Sequence, residues 1–264
     1  MLRVLFIGDV VGKPGLRILS KFVPDYKKEN KYDLICVNGE NAAGGFGLTR
    51  KSASKLKKYG CDVITTGNHI LDRKEELEEI FKLEYVIRPL NYEESFPGKG
   101  FIIIEKENQK VAFINIQGQT FMPKEPKTSS PFKSVEECVK SLTKITPIII
   151  VDIHAETTAE KIAMRYFLDG QISALIGTHT HVQTADEIIS SSGTAYITDV
   201  GMTGAFDSVI GMQAKPIIKK FMGDKNQSFK LAKNDVRMNA VEIEINDNKG
   251  KAESIRRIEI GENS

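Results

Sequence analysis

Val4-Leu5-Phe6-Ile7-Gly8-Asp9-Val10-Val11-Gly12-Lys13-Pro14 is the stretch that decides the fold. Four apolar residues run into Gly8-Asp9, and Pro14 then opens a helix toward Lys28, where its fixed φ and missing N–H suit the first turn. Strand, polar turn and helix form the repeating unit of an α/β protein. The same unit recurs downstream. Leu34-Ile35-Cys36-Val37 reads as a strand, and Thr49 caps a helix through Tyr59. Val63-Ile64-Thr65-Thr66 is a third strand, and Asp72 with Glu75 suggests a capping box for a helix to about Lys82. Residues 100–105 and 110–116 read as paired strands around the turn-like Glu107-Asn108-Gln109.

The second half continues the alternation. Residues 117–133, with Pro123, Pro126 and Pro131, read as an irregular loop, and Ser134 with Glu137 opens a helix by capping logic. Pro147-Ile148-Ile149-Ile150-Val151 is a buried strand, and Thr157 with Glu160 caps the helix that follows. Ser173-Ala174-Leu175-Ile176 is another strand, and 194–199, 238–245 and 253–260 close the chain as β-structure. No repeat, low-complexity tract or linker interrupts residues 1–264. The expectation is a single domain, α/β first and more antiparallel later, with two sheet layers covered by helices.

Composition narrows the function. The chain is 41% hydrophobic and 27% charged, as in ordinary globular proteins. Thirty-seven basic against thirty-five acidic residues leave a formal charge of +2, no footprint for nucleic acid or an anionic membrane. The opening apolar run is too short for a signal sequence or anchor, and no stretch approaches a membrane span. Cys36, Cys61 and Cys138 are widely spaced and odd in number, which reads as reduced thiols in a cytoplasmic protein, without a disulfide framework or a Cys-type zinc site.

The polar residues after the strands carry the chemistry. Asp9 follows the first, Gly39-Glu40-Asn41 the second, Asn68-His69 the third, His154 the Ile-rich strand, and His179-Thr180-His181 the Leu175 strand. These positions hold all four histidines of the chain. Open α/β sheets bind ligands outside the carboxyl ends of their strands, so five strands deliver carboxylate, carboxamide or imidazole to one rim. Oxygen and nitrogen donors without thiolate suit iron, manganese or zinc better than calcium. Asp9, Glu40, Asn41, Asn68, His154, His179 and His181 exceed what one ion needs, which suggests two ions sharing a carboxylate at about 3.5–4 Å. A single histidine after a strand is more often a hydrogen-bonded loop residue than a ligand, and Asp9 alone would serve as a helix cap. His-x-His is more specific, because alternate residues of an extended segment face one way. Gly44-Gly45-Phe46-Gly47 reads as a turn before the Thr49-capped helix, and the lysines between 51 and 58 as a solvated face.

Gly67-Asn68-His69, His154 and Gly177-Thr178-His179-Thr180-His181 resemble the blocks of calcineurin-like metallophosphoesterases. The usual first block, Asp-x-His, is here Asp9-Val10-Val11, and Glu40 stands where that superfamily has a bridging Asp. Gly8-Asp9-Val10-Val11-Gly12, Asn38-Gly39-Glu40-Asn41-Ala42-Ala43-Gly44-Gly45 and Thr198-Asp199-Val200-Gly201-Met202-Thr203-Gly204 are similar to the YmdB-like branch, a resemblance running to about residue 260. Ala205 departs from a Pro common in that branch. The resemblance implies an α/β/β/α sandwich, two metal ions of di-iron type with manganese or zinc as alternatives, homo-oligomers, and 2′,3′-cyclic nucleotides as substrates. It gives Glu40 the bridging role, with Asp9, Asn41 and His181 at one ion and Asn68, His154 and His179 at the other. His69 corresponds to the catalytic histidine: with a hydroxide bridging the two ions as nucleophile, it would protonate the leaving ribose oxygen and release a 3′-nucleotide. Base recognition is expected from loops 117–133 and 200–212. The rival expectations are a broader phosphatase or phosphodiesterase on the same centre, a regulatory protein that binds RNA or a protein partner, and a metal-binding structural protein without turnover. The near-neutral charge argues against strong RNA binding.

Overall fold

A computed structural model describes residues 1–29, 31–106 and 109–263. The first half runs β1 (Leu2–Ile7), β2 (Asp9–Val10), α1 (Gly12–Lys28), β3 (Leu34–Asn38), α2 (Arg50–Tyr59), β4 (Val63–Thr65), a 3-10 segment (Asn68–Glu76) and α3 (Leu77–Phe81). Then come β5 (Phe101–Lys106), β6 (Gln109–Gln117), α4 (Pro131–Leu142), β7 (Ile148–His154), α5 (Thr158–Leu168) and β8 (Ala174–Thr178). The chain closes with β9 (Ile188–Ile189), β10 (Ala195–Ile197), β11 (Met202–Ala205), α6 (Ala214–Phe221), β12 (Val236–Ile245) and β13 (Ala252–Gly261).

Two mixed sheets result. The first has the order β2-β11-β12-β1-β3-β4, with β13 also paired to β12. Its β1, β3 and β4 run parallel, while β12 is antiparallel to both β1 and β13. The second has the order β5-β6-β7-β8-β10-β9, parallel at its centre and antiparallel at both edges.

Side-chain alternation along the strands decides what each layer touches. In β1, Val4 and Phe6 face one way and join Phe113, Ile150, Ile176 and Val241 in a core between the two sheets. Leu5 and Ile7 face the other way, against Ile18 and Leu19 of α1 and Leu56 of α2. The second sheet does the same: Ile149 and Val151 turn outward against Val135 and Val139 of α4 and Met164 of α5. Sandwiched between core and helices, the central strands are apolar on both faces. They therefore read as continuous runs and not as alternating ones. The layers are helix, sheet, sheet, helix, as the sequence implies. Among the described residues, no helix is long and apolar enough to cross a membrane. Cys36, Cys61 and Cys138 are free and buried.

Local signals succeeded unevenly. Thr49 caps α2 in a reciprocal box with Ser52, and the Thr157 side chain accepts the Glu160 N–H. The box expected at Asp72 and Glu75 does not form. That stretch is 3-10 helix with a kink at Arg73 (φ −130°), and the α-helical part starts only at Leu77. Ser134 lies inside α4, which begins three residues earlier at Pro131, a residue already shaped for a helix start. The strands flanking Glu107-Asn108-Gln109 pair as expected, while Glu107 and Asn108 themselves lie outside the described residues.

Candidate metal centre

The topology brings the carboxyl ends of both sheets to one place. Parallel register aligns Asn38 with Thr65 in the first sheet and His154 with Thr178 in the second. The residues that follow those ends meet across the gap between sheets. The first sheet delivers Asp9, Glu40, Asn41, Asn68 and His69, and the second delivers His154, His179 and His181. Asp9, Glu40, Asn41 and His154 are buried, with at most 1% exposure.

His154 Nε2 is the hub. It lies 3.0 Å from His179 Nδ1, 3.1 Å from Asn68 Oδ1 and 3.2 Å from Glu40 Oε1. Hydrogen bonding on the other side of the ring places one of its protons. The Thr178 hydroxyl donates to Asp152 at 2.7 Å, so its oxygen accepts from His154 Nδ1–H at 2.9 Å. With its proton on Nδ1, a neutral His154 turns the Nε2 lone pair toward two oxygens and a nitrogen that are themselves acceptors. Such a convergence of lone pairs suits a cation. Glu40, His154 and His179 also place one ligand atom each within 4.8 Å of one another.

Two buried acceptors point the same way. Among the described residues, Asp9 Oδ1 and Asn41 Oδ1 find no hydrogen-bond partner, and both belong to the predicted donor set. Asn41 Nδ2 lies 3.0 Å from Glu40 Oε1 and 3.2 Å from His181 Nε2. The Ile210 carbonyl takes the His181 Nδ1 proton at 3.0 Å, which leaves His181 Nε2 as a lone pair. Glu40 thus touches both groups, Asn41–His181 through Asn41 and Asn68–His154–His179 through His154. Asp9 contacts the second group: it accepts the His179 backbone N–H at 3.2 Å and lies 4.0 Å from His154 Nδ1. The donors present fit metal ions.

The electrostatics are those of a site short of positive charge. Burial pushes the Asp9 carboxyl well above the usual carboxylate range, against the pull of His154. Burial also acts to raise Glu40, yet the charge of His154 and its hydrogen bond hold Glu40 well below that range. His154 itself rises to about 9, because Glu40 and then Asp9 outweigh a desolvation that would lower it. Desolvation and the neighbouring His154 push His179 down to about 3, and desolvation also lowers His181. Without an ion, a second proton on His154 supplies part of that charge; a bound cation would supply it instead and leave His154 Nε2 as a lone pair.

A supporting layer surrounds these donors. Asn38 and Thr178 bond Asp152, whose carboxyl burial raises to about 6, and so lock the His154 ring. Lys161, buried on α5, reaches the Thr178 carbonyl at 2.7 Å and Asp199 Oδ2 at 2.8 Å. Asp199 in turn accepts the backbone N–H groups of Thr180 and Gly201, and so anchors the loop that carries His179 and His181. Both histidines have positive φ, 103° and 65°, a conformation that needs such anchoring. Glu156 Oε2 sits 3.0 Å from His179 Nε2 and leaves Nδ1 to face the cluster. Asn38, Thr178 and Asp199 lie in the blocks that carry the family resemblance, while the signal for Asp152 is polarity inside the apolar strand Ile148–His154. Gly67 is required by space: a Cβ there would lie 2.3 Å from His154 Nε2 and 2.5 Å from Glu40 Oε2.

His69 stands at the edge of the cluster. Its backbone N–H donates to Glu40 Oε2 at 3.1 Å, while its ring turns away to put Nδ1 2.7 Å from Asp72 Oδ2. Phe46 packs edge-on against the ring at 5.3 Å between centroids. Asp72, expected as a helix cap, is instead the partner that fixes this imidazole through Nδ1. A cavity of about 210 Å³, lined by Glu40, His69, Glu156, His179 and His181, opens in front of the cluster.

A family model described as YmdB-like protein matches residues 5–258. The 2′,3′-cyclic-nucleotide 2′-phosphodiesterase of Bacillus subtilis (strain 168) is 44% identical over 99% of this chain and 98% of its own length. Among solved structures, a hypothetical protein from Thermus thermophilus superposes with a TM-score of 0.91 at 38% identity, covering 98% of this chain and 99% of that one. A Mycoplasma pneumoniae protein described as a novel phosphatase superposes with a TM-score of 0.92 at 37% identity, covering 98% and 93%. The two-sheet sandwich is the calcineurin-like metallophosphoesterase fold. Matched along almost its whole length by model, sequence and structure, the chain belongs to the YmdB-like family.

Proposed function

We propose that this protein is a metal-dependent phosphodiesterase that opens 2′,3′-cyclic nucleotides to 3′-nucleotides. The observation that carries the reading is the convergence of Glu40, Asn68 and His179 on His154 Nε2, with His69 beside it, in a chain 44% identical to an enzyme of that activity. Two ions, iron first, are the proposed occupants. Glu40 would be shared, Asn68, His154 and His179 would hold one ion, and Asp9, Asn41 and His181 the other. When bound, such ions supply charge for the phosphate oxygens and lower the pKa of water. Because both sheets contribute, residues 1–264 act as a single domain.

The chain's own residues handle orientation and the proton. Asp72 and Phe46 hold the His69 ring at the cavity, and in its protonated form His69 presents Nε2–H to the leaving oxygen. Water adds to phosphorus and releases a proton to solvent, the bond from phosphorus to the ribose 2′ oxygen breaks, that oxygen takes the His69 proton, and His69 regains a proton from solvent. Glu40 and the His179 loop are fixed by Asn41, Asp9 and Asp199, so they need not reorganise during the reaction.

The test is to purify the protein, identify and count bound metal, and compare 2′,3′-cyclic AMP, 3′,5′-cyclic AMP and a phosphomonoester. Conversion of the first to 3′-AMP in preference to the others is expected. Preference for the monoester would replace this reading with that of a broader phosphatase.

A further inference from the structure

A second and larger cleft, about 640 Å³, shares Asn41, His69 and His181 with the centre and then leaves it. Its far walls are Phe46, Met212, Ile217, Phe221 and Phe229. The geometry points to a nucleobase subsite in this cleft, one that binds the base by stacking and not by reading its edge. This inference rests on the phosphodiesterase reading and extends it to substrate recognition.

Position comes first. A cleft that begins at His69 and His181 receives whatever is bonded to the reacting phosphate. In a 2′,3′-cyclic nucleotide the phosphate ring is fused to the ribose, so the base follows directly. Chemistry comes second. Phe46 and Phe229 lie 5.9 Å apart with planes tilted 45°, and Phe229 and Phe221 are 46% and 87% exposed, so aromatic surface stands open along the cleft. Lys220 Nζ sits 4.1 Å from the Phe229 centroid and holds that ring in place. Beyond the residues shared with the centre, Lys220 and Lys225 are the polar side chains lining the cleft among the described residues. Two cations and a set of apolar walls offer no donor–acceptor pair to distinguish one purine from another. Stacking tolerates any base, and purines give the larger contact.

This assigns a role to Gly44-Gly45-Phe46-Gly47. Gly45 (φ +96°) packs so closely that a Cβ would meet Met212 Cε at 2.7 Å. The loop is a tight packed turn whose single large side chain, Phe46, stands between His69 and Phe229. Of the loops expected to recognise the base, 200–212 reaches the cleft through Val209, Ile210 and Met212, whereas among the described residues none of 117–133 lines it.

The test uses the metal-loaded protein and its Phe229→Ala, Phe229→Tyr and Met222→Ala variants. Met222, at the outer end of α6, is 82% exposed and lines neither cavity. The substrates are adenosine and guanosine 2′,3′-cyclic phosphates and the base-free glycerol 1,2-cyclic phosphate. Phe229→Ala is expected to raise KM for both nucleotides on the order of tenfold with kcat kept, the size of one lost base stack. It should leave the base-free diester unchanged; Phe229→Tyr should restore KM, and Met222→Ala should change nothing. An equal effect on the base-free diester, no effect on the nucleotides, or an adenine–guanine difference beyond tenfold overturns the subsite while leaving the phosphodiesterase intact. If the wild-type protein leaves the cyclic nucleotides uncut, the phosphodiesterase reading falls and binding of 3′-AMP decides the subsite. Binding about tenfold weaker in Phe229→Ala supports it, and equal or absent binding overturns it.

Discussion

His69 and His154 are the same residue type in opposite settings, and the difference lies in what each Nδ1 touches. Asp72 takes that of His69 at the solvent edge, while Thr178 takes that of His154 in full burial. A ring held by an exposed carboxylate suits a proton donor, and one locked by a buried hydroxyl suits a ligand. Replacing His69 by Ala should therefore lower kcat by about 10²–10⁴-fold and leave bound metal unchanged by elemental analysis. Retained turnover at full metal content would remove His69 from the chemistry. Thr178→Val tests the other ring. It keeps the shape but loses the acceptor for His154 Nδ1–H, and metal affinity should fall about 10–100-fold. Competition with a chelator measures this, and unchanged affinity would mean that Asn38 and the packing alone orient His154.

Among the elements, α5 does more than cover the second sheet. Lys161 on its buried face pairs with Asp199 and so ties the helix to the loop that carries His179 and His181. Lys161→Met strands a buried carboxylate and should cost about 3–5 kcal/mol in urea unfolding. Adding Asp199→Asn should recover part of that cost, because the charge goes with its partner. A loss below about 1 kcal/mol in the single variant would mean that the pair sits in a wetter site than its burial indicates. Lys161 also marks how far the sequence could be read. Strand order along the chain, the caps at Thr49 and Thr157, and the donors at strand ends were legible because each depends on neighbours within a few residues. The partners of Lys161 and Asp152 are set by pairing across 17 to 114 residues, from Lys161 with the Thr178 carbonyl to Asn38 with Asp152, and no local pattern encodes it. Asp72 shows the converse: a local capping signal lost to a histidine three residues back, in a segment wound as 3-10 helix.

For the whole molecule, the centre sits at the junction of the layers. Asp9, Glu40, Asn41 and Asn68 come from the first sheet, and His154, His179 and His181 from the second. Between these sheets lies an apolar core built from Phe6, Phe113, Ile150 and Val241. Ions bound by both groups would cross-link the sheets at the rim where that core ends. The donors converge only in the folded chain, since Asp9 and His179 are 170 residues apart in sequence. Binding free energy at such a site is therefore folding free energy. At free metal near a thousand times Kd the gain is about 4 kcal/mol. At about 2–4 °C per kcal/mol for a chain of this size, dialysis against a strong chelator should lower Tm by about 8–16 °C. Manganese or ferrous ion should restore it. Glu40→Gln makes the test specific, because it removes a charge that both donor groups share. In that variant the metal-dependent part of the Tm shift should shrink by more than half, and chelator and metal scans should nearly coincide. If Tm of the wild-type protein does not move although elemental analysis confirms the metal has gone, the two sheets are held by their core alone, and the centre contributes chemistry without contributing to the fold.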